Sequence, residues 1–339
     1  MMHNNKSGLS VDRVSLTYPN QIEQTLNDIS INLSYGNIGC IMGASGSGKT
    51  TLLKAIAGFE NINDGKITLN DKIISTAIEQ APIESRRIGF VFQDNSLFPH
   101  LTVKENIEFG PKFGIPTEKA LPINEILSML DLNAVSNHLP NAISGGQQQR
   151  TALARAIVNG PDLLLMDEPF ASLDKNLREN IVTEIRQLLI ERKITTLIVT
   201  HDYSEASTLG DYIGILDQGK IKQWDNEENL YKNPKSILIA KAIGDGTILK
   251  ASDYEKLFEM PAKSPFFILR PESVQIQQNG TFTGKIINRK GRGNYSLITC
   301  RINQTQIDVE LYISSRPLPK VDDVLNICIT HDSCTPIPE

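Results

Sequence analysis

The sequence has 339 residues, of which 40% are hydrophobic and 22% charged, and its formal net charge is −5. This length allows two domains with separate hydrophobic cores, and the composition is typical of a globular protein. The acidic balance, without a Lys/Arg-rich run, gives no indication of nucleic-acid binding. The polar residues 1–9 lack the apolar centre of a signal peptide, and no run of about 18 apolar residues predicts a membrane span.

The first predicted elements are short strands at Leu9–Tyr18 and Ile29–Ser34, and an apolar strand ends at Met42. The stretch that follows matches the pattern G-x-x-x-x-G-K-[ST] and leads into a helix. Between a strand and a helix, this pattern predicts a phosphate-binding loop, because backbone N–H groups and the helix N-terminus hold phosphate oxygens. Lys49 is expected to reach the β- and γ-phosphates, and the Thr50 hydroxyl to bind Mg²⁺. The candidate nucleotide-binding residues here are Gly43, Ala44, Ser45, Gly46, Ser47, Gly48, Lys49, Thr50 and Thr51.

The middle of the chain predicts a helical insertion. A strand at Ile88–Phe92 ends in Gln93, and from about residue 95 to residue 160 the pattern becomes helical and more polar. Within it, Ile143-Ser144-Gly145-Gly146-Gln147 is a second anion-binding pattern, because Ser144 is a good N-cap and the glycines expose backbone N–H groups. One phosphate loop already exists, so the simplest interpretation is that this segment closes over the nucleotide of another copy of the chain.

Two continuous apolar runs, Asp162–Met166 and Thr196–Thr200, predict parallel strands buried on both faces. Alternation of such strands with helices predicts an α/β core with its ligands at the carboxyl ends of the strands. Asp167 and Glu168 follow the first strand, and His201 follows the second. Asp167 is expected to bind Mg²⁺ and Glu168 to polarise an attacking water, while His201 orients that water or contacts the γ-phosphate.

The predicted first domain covers residues 1–243, and Gly244-Asp245-Gly246 is the predicted linker. Residues 244–339 contain short β segments separated by Gly and Pro turns, which predicts a small all-β barrel.

Taken in order, these motifs resemble the ATPase subunit of an ATP-binding-cassette (ABC) transporter. They correspond to the phosphate loop, the Q-loop (Gln93), the signature (Ser144–Gln147), Walker B (Leu163–Glu168), the D-loop (Ala171–Asp174) and the switch histidine (His201). Ile143 replaces the usual Leu, and Ala171-Ser172 replaces the commoner Ser-Ala, but both changes keep size and polarity. The fold class implied is α/β, a P-loop ABC ATPase domain with a helical insertion, followed by a small all-β OB-like (TOBE-type) barrel domain.

The resemblance also implies the cofactors, ATP and Mg²⁺, and a second copy of the chain as partner. Gln93 would contact Mg²⁺ and the water. Ser144, Gly145, Gly146 and Gln147 would bind the γ-phosphate across a head-to-tail pair, and Asp174 would bridge the two sites. Tyr18 would stack on adenine; the alternative is an ordinary aromatic residue at a strand end.

The segment Phe267–Val274 resembles the LRPE segment of bacterial binding-protein-dependent importers, which implies an import function. The partners would be two integral-membrane permease subunits, or one fused permease, and indirectly a solute-binding protein, but no nucleic acid. The chain would lie peripherally at the cytoplasmic face of the bacterial inner membrane. Residues 95–110 would contribute to the groove for a permease helix; the alternative is a loop packed on its own domain. The C-terminal barrel would serve regulation or dimerisation, or stability alone.

The junction at residues 242–246 and the short C-terminal domain are most similar to the ferric-iron importers. Polyamine, sugar or sulfate import is the alternative. Cassettes of a different class act in DNA repair or translation, but those chains usually carry tandem cassettes or long insertions. A regulatory nucleotide switch with weak turnover is a third possibility, against which Glu168 and His201 argue.

Overall fold

The computed structural model describes residues 7–19, 21–113, 117–171, 173, 175–314 and 318–338. The chain divides into two compact units, Met1–Glu227 and Glu228–Glu339. The strands of the first unit are β1 (Ser7–Leu16), β2 (Leu26–Ser34), β3 (Ile38–Met42), β4 (Asp64–Leu69), β5 (Lys72–Thr76), β6 (Ile88–Val91), β7 (Leu163–Asp167), β8 (Thr196–Thr200), β9 (Tyr212–Asp217) and β10 (Lys220–Asp225). Its helices are α1 (Lys49–Ala57), α2 (Val103–Phe113), α3 (Ile123–Met129), α4 (Gly145–Ile157), α5 (Lys175–Glu191) and α6 (Tyr203–Leu209).

A six-stranded sheet in the order β10-β9-β3-β8-β7-β6 forms the centre of the first unit. Strands β9, β3, β8, β7 and β6 are parallel, and β10 is antiparallel to β9. Every residue of β3, β7 and β8 is buried, as the continuous apolar runs predict for strands covered on both faces. The predicted α/β core is confirmed.

A four-stranded antiparallel sheet, β2-β1-β4-β5, packs over α1 and one face of the central sheet. Its strands alternate buried and exposed side chains, so that residues such as Leu9, Val11 and Ile67 enter the core shared with Leu52 and Leu165. Strand β1 ends at Leu16, two residues before the predicted end, and Tyr18 lies in the following turn.

The predicted helical insertion consists of α2, α3 and α4, with short 3-10 turns at Asn133–Val135 and Pro140–Ala142. Prolines divide it because proline cannot donate a helical hydrogen bond, and Pro122 and Pro140 stand at the starts of α3 and of the second turn. Helix α4 packs against α2 and β6, which places the insertion beside the edge of the central sheet. None of the described helices combines the length and the apolar character needed to cross a membrane.

The second unit contains two antiparallel sheets, β11-β12-β18 and β13-β17-β14-β15-β16. Its core includes Leu249, Phe267, Ile298 and Leu311, and this arrangement fits the predicted small barrel-like domain. Its strands are β11 (Thr247–Lys250), β12 (Phe266–Leu269), β13 (Gln275–Ile276), β14 (Phe282–Gly291), β15 (Ser296–Ile302), β16 (Asp308–Ile313), β17 (Val324–Cys328) and β18 (Cys334–Ile337). The remaining helices are α7 (Glu227–Lys232), which begins at the boundary, α8 (Ile237–Ala242) and α9 (Ala251–Phe258).

The division between the units lies before the predicted boundary at residues 243/244, because α8 packs within the second unit. Ala240 forms a small apolar cluster with Ile268 and Ile337. The buried Arg270 guanidinium donates hydrogen bonds to the carbonyl oxygens of Ala240, Gly244 and Asp245, at 3.1, 3.1 and 3.0 Å. The predicted linker is therefore held by the segment that resembles LRPE.

Candidate active site

Four adjacent strands of the central sheet, β3, β8, β7 and β6, bring the predicted motifs to one edge. Their carboxyl ends lead into the phosphate loop, His201, Glu168 and Gln93 respectively. Because the four strands are parallel, these ends meet at the same edge, where α/β proteins bind their ligands.

The phosphate loop is closely packed against the end of β9. An added Cβ on Gly43 would lie 2.2 Å from the carbonyl oxygen of Leu216, so no larger residue fits. Gly48, the residue before α1, has a φ of +106°, a backbone conformation open mainly to glycine. Lys49 is 6% exposed, and its Nζ donates to the carbonyl oxygens of Gly43 and Ala44 at 2.9 and 3.0 Å. The loop thus holds its cation next to the N-terminus of α1, a favourable place for phosphate.

Thr50 and Asp167 place two side-chain oxygen atoms next to each other beside the loop. The Thr50 hydroxyl donates to Oδ1 of Asp167 at 3.2 Å. Burial raises the pKa of the Asp167 carboxyl, and the Thr50 hydrogen bond and the Lys49 charge act in the opposite direction. A buried carboxylate next to a hydroxyl fits Mg²⁺, which usually binds one or two carboxylates together with nucleotide phosphates and water.

Glu168 and His201 are hydrogen-bonded to each other across neighbouring strand ends. His201 Nδ1 lies 3.1 Å from Glu168 Oε2, and Lys49 Nζ lies 3.8 Å from Glu168 Oε1. Glu168 has a φ of +43°, a left-handed conformation that is uncommon for this residue and typical of functional sites. The carboxylate is therefore fixed between a cation and an imidazole.

Most of these residues line a single cleft of about 620 Å³. The predicted residues that line it are Ser45, Gly46, Gly48, Lys49, Thr50, Thr51, Gln93, Glu168 and His201. Thr25 also lines the cleft, and no sequence signal pointed to it. Its carbonyl oxygen lies only 2.7 Å from the place that a Cβ on Gly48 would take, so this contact arises from the fold alone.

Tyr18 lies near the cleft but is not among its lining residues. Its ring packs partly against the core of the first unit. Its hydroxyl donates to Glu60 Oε1 at 3.3 Å and lies 3.3 Å from the hydroxyl oxygen of Thr51.

The signature residues form the start of α4. Ser144 caps the helix: its Oγ accepts from the Gln147 N–H at 3.3 Å, and its own N–H donates to Gln147 Oε1 at 3.0 Å. Ser144 and Gly145 are exposed, and none of the segment Ser144–Gln147 is among the described residues that line the cleft of the same chain. The predicted bridging residue Asp174, like Ser172, lies outside the described residues.

Comparison with known proteins places these features in a family. The family model described as "ABC transporter" matches residues 26–171. The chain is 38% identical over 312 residues to the Fe(3+) ions import ATP-binding protein FbpC of Haemophilus influenzae (strain 86-028NP), covering 86% of this chain and 89% of that protein. It is also 38% identical over 239 residues to the spermidine/putrescine import ATP-binding protein PotA of Vibrio cholerae, covering 70% of this chain and 62% of that protein.

A solved structure agrees with this. The dimeric, post-hydrolysis ATP-binding cassette MJ0796, bound to ADP and Pi, superposes with a TM-score of 0.56 at 32% identity, over 64% of this chain and 98% of that chain. Since identity above one third extends along nearly the whole of an import ATP-binding protein, the chain belongs to the ABC transporter family, as one of its ATP-hydrolysing import subunits.

Proposed function

We propose that this ATPase binds ATP with Mg²⁺ in the cleft described above and drives the import of ferric iron. The observation that supports the site is the convergence of Lys49, the Thr50–Asp167 pair and the Glu168–His201 pair at one sheet edge. Thr50, Asp167 and Gln93 would hold Mg²⁺, which when bound neutralises charge on the phosphate oxygens.

Lys49, Glu168 and His201 have different roles in the proposed hydrolysis of ATP. Lys49 exchanges its carbonyl partners for the β- and γ-phosphate oxygens, and the loop N–H groups hold the same phosphates. Glu168 accepts a proton from the attacking water, because its carboxylate is fixed at the cleft wall. His201 orients that carboxylate through Nδ1.

The active form in this proposal is a pair of chains. Ser144, Gly145, Gly146 and Gln147 of one chain complete the site of the other, Asp174 bridges the two sites, and Tyr18 stacks on adenine. Two observations support the pairing: Ser144 and Gly145 are exposed and do not line the cleft of their own chain, and the similar solved cassette MJ0796 is dimeric.

The pair would bind peripherally to two permease subunits, or one fused permease, at the cytoplasmic face of the inner membrane, supplied by a solute-binding protein. Residues 95–110 would contribute to the groove for a permease helix; in this segment the ring centroids of the half-buried Phe98 and Phe109 lie 4.4 Å apart, and Arg155 lies over Phe98. The second unit would contribute dimer contacts or regulation.

Sequence identity supports ferric iron as the substrate, because over similar shares of this chain the Fe(3+) import proteins are more similar to it than a polyamine import protein is. The Fe(3+) import proteins of H. influenzae and Pectobacterium atrosepticum are 38% and 37% identical over 86% and 89% of this chain. The polyamine import protein of Pseudomonas fluorescens is 34% identical over 87% of it. Polyamine import is therefore the second candidate, followed by sugar or sulfate import.

Uptake measurements distinguish these candidates. In a strain lacking this protein, we expect the uptake of radiolabelled ferric iron to be lost and that of spermidine to be unchanged. The wild-type gene should restore iron uptake, and the Glu168→Gln variant should not. Normal iron uptake together with lost spermidine uptake would transfer the assignment to polyamine import.

A further inference from the structure

Arg178, in the first turn of α5, lies between two loops of the site. Its Nη2 donates to the carbonyl oxygen of Leu173 at 2.9 Å. Its Nη1 lies 3.3 Å from Asp202 Oδ2 and 3.5 Å from Glu205 Oε1. Glu205 is only 4% exposed, so this cation balances a buried carboxylate as well as a half-buried one.

Glu205 and the backbone N–H of Asp202 fix both sides of His201 through the Thr200 hydroxyl. Glu205 Oε2 accepts a hydrogen bond from the Thr200 hydroxyl at 2.5 Å, directly before the histidine. The N–H of Asp202, directly after it, donates to the same hydroxyl oxygen at 3.0 Å. Arg178 therefore contacts the groups that set the position of His201.

On its other side, Arg178 is connected to the signature segment through Leu173. The Leu173 side chain is buried, and its Cδ2 lies 3.8 Å from the place that a Cβ on Gly145 would take. Leu173 thus packs beneath the first residue of α4, while its carbonyl oxygen is held by Arg178. One side chain links the segment assigned to the partner's nucleotide with the histidine assigned to the chain's own nucleotide.

We propose that Arg178 is a positioning residue that fixes His201 against Glu168 and couples this pair to the signature segment. The inference rests on the roles proposed above for Glu168, His201 and the signature. Removing the guanidinium leaves Asp202 and Glu205 without their shared cation, and their repulsion in a poorly solvated region displaces the segment Thr200–Asp202 that Glu205 holds. The phosphate loop is not part of this network, so nucleotide binding is preserved while turnover falls.

The chain offers a matched control on the same helix. Arg186 lies two turns further along α5, donates to the carbonyl oxygen of Leu209 and contacts Asp211 Oδ1 at 3.0 Å. Its side chain is 30% exposed, against 22% for Arg178, and it likewise pairs with a carboxylate and a main-chain oxygen. Arg178→Met and Arg186→Met should therefore lower thermal stability to a similar degree.

The test measures ATP hydrolysis by the full chain across ATP concentrations. We expect Arg178→Met to lower kcat roughly tenfold or more, with the KM for ATP changed less than about twofold, because displaced catalytic groups cost rate rather than binding. Arg178→Lys should recover part of kcat, since it restores the charge without the two-pronged geometry. Adding Glu205→Gln to Arg178→Met should cost less than Glu205→Gln costs alone, because the two residues act as one unit.

Equal kcat values for Arg178→Met and Arg186→Met would overturn the proposal, as would parallel losses in kcat and ATP affinity. If Arg178→Met does not fold, the Arg178→Lys and Glu205→Gln variants and their combination carry the same test. Glu168→Gln, measured alongside, separates the two levels of inference. Full turnover in Glu168→Gln would refute the assigned site, whereas a blocked Glu168→Gln with a normal Arg178→Met would refute only the role of Arg178.

Discussion

Glu168 is held in place by its backbone conformation and by two side chains of the site. It follows a buried strand in a left-handed conformation, and its two carboxylate oxygens face His201 and Lys49. A strained backbone at such a position costs roughly 1–3 kcal/mol and persists only where the surroundings enforce it. This geometry is what a base that activates water requires, since the carboxylate must stay aimed at the cleft.

We therefore expect Glu168→Gln to bind ATP normally but to hydrolyse it about 100-fold or more slowly, because an amide cannot accept the proton of the water. Loss of the negative charge should also favour the ATP-bound pair of chains, visible as a larger species in size-exclusion chromatography with ATP. Glu179→Gln, the same change on the exposed side of α5, is the control. Hydrolysis by Glu168→Gln at the wild-type rate would show that another group activates the water.

Because Asp167 is buried, the stability of the nucleotide-free protein should depend on pH in a definite direction. Burial raises its pKa, so at neutral pH the ionised carboxylate destabilises the nucleotide-free fold, and this penalty disappears as the pH falls through the raised pKa. Asp167→Asn should accordingly raise the Tm of the nucleotide-free protein at pH 7, because the amide carries no charge that burial penalises.

The same variant should lose Mg²⁺-dependent hydrolysis, and its advantage in Tm should shrink as the pH is lowered, because the wild-type carboxyl then becomes neutral too. Asp71→Asn, in an exposed turn, should show neither effect. An Asp167→Asn protein less stable than the wild type at pH 7 would mean that the carboxylate is stabilised by its surroundings rather than penalised.

At the scale of elements, the N-terminus of α4 has two separable properties. Ser144 caps the helix through its hydroxyl, and the same exposed residue is proposed to bind the partner's γ-phosphate. Aspartate is as good an N-cap as serine, whereas alanine costs about 1 kcal/mol. Ser144→Asp therefore keeps the helix but places a negative charge where a phosphate should bind.

We expect the free energy of unfolding of Ser144→Asp, measured in urea, to lie within about 0.5 kcal/mol of the wild-type value, because the cap is kept. Its ATPase activity should nevertheless be low. Ser144→Ala should lose more stability than Ser144→Asp and less ATPase activity. Full ATPase activity in Ser144→Asp would refute a phosphate contact at this helix end.

Elements with strong local patterns were predictable from the sequence, and those that depend on distant partners were not. Strands β7 and β8 can be recognised in the sequence as continuous apolar runs. Strands β11 and β18 do not, because they form only by pairing with β12, in which Leu269 lies opposite both Thr247 and Cys334. Residues 227–242 form two short helices, α7 and α8, rather than one, since Pro234 lies between them.

The same contrast holds for the site residues: those in local motifs were predictable, and those that depend on distant partners were not. The phosphate-loop pattern predicted Lys49, and the ends of two apolar strands predicted Glu168 and His201; all three line the cleft. Thr25 and Arg178 carry no motif of their own, and folding alone brings them close to their neighbours: Gly48 for the first, Asp202 and Glu205 for the second. The role of Asp174 and the stacking of Tyr18 on adenine stay predictions.

At the scale of the whole molecule, the proposed pairing means that one chain holds two incomplete half-sites. Residues of the phosphate loop, Glu168 and His201 line the cleft, whereas the signature residues Ser144–Gln147, of which Ser144 and Gly145 are exposed, do not. Two copies related by a two-fold axis would complete both sites at once, because each contributes its cleft to one site and its signature to the other. Mutations in the two half-sites should then complement each other between chains.

The most direct test mixes two inactive variants, Lys49→Ala, which damages the cleft, and Ser144→Asp, which damages the signature. Each alone should hydrolyse almost no ATP, because both sites of its own pair carry a defect. In an equal mixture, half of the pairs are mixed and one of their two sites is intact, so up to about a quarter of the wild-type activity should return. A mixture as inactive as its components, with mixed pairs demonstrated by differently tagged chains, would contradict the shared site and with it the account of how this ATPase works.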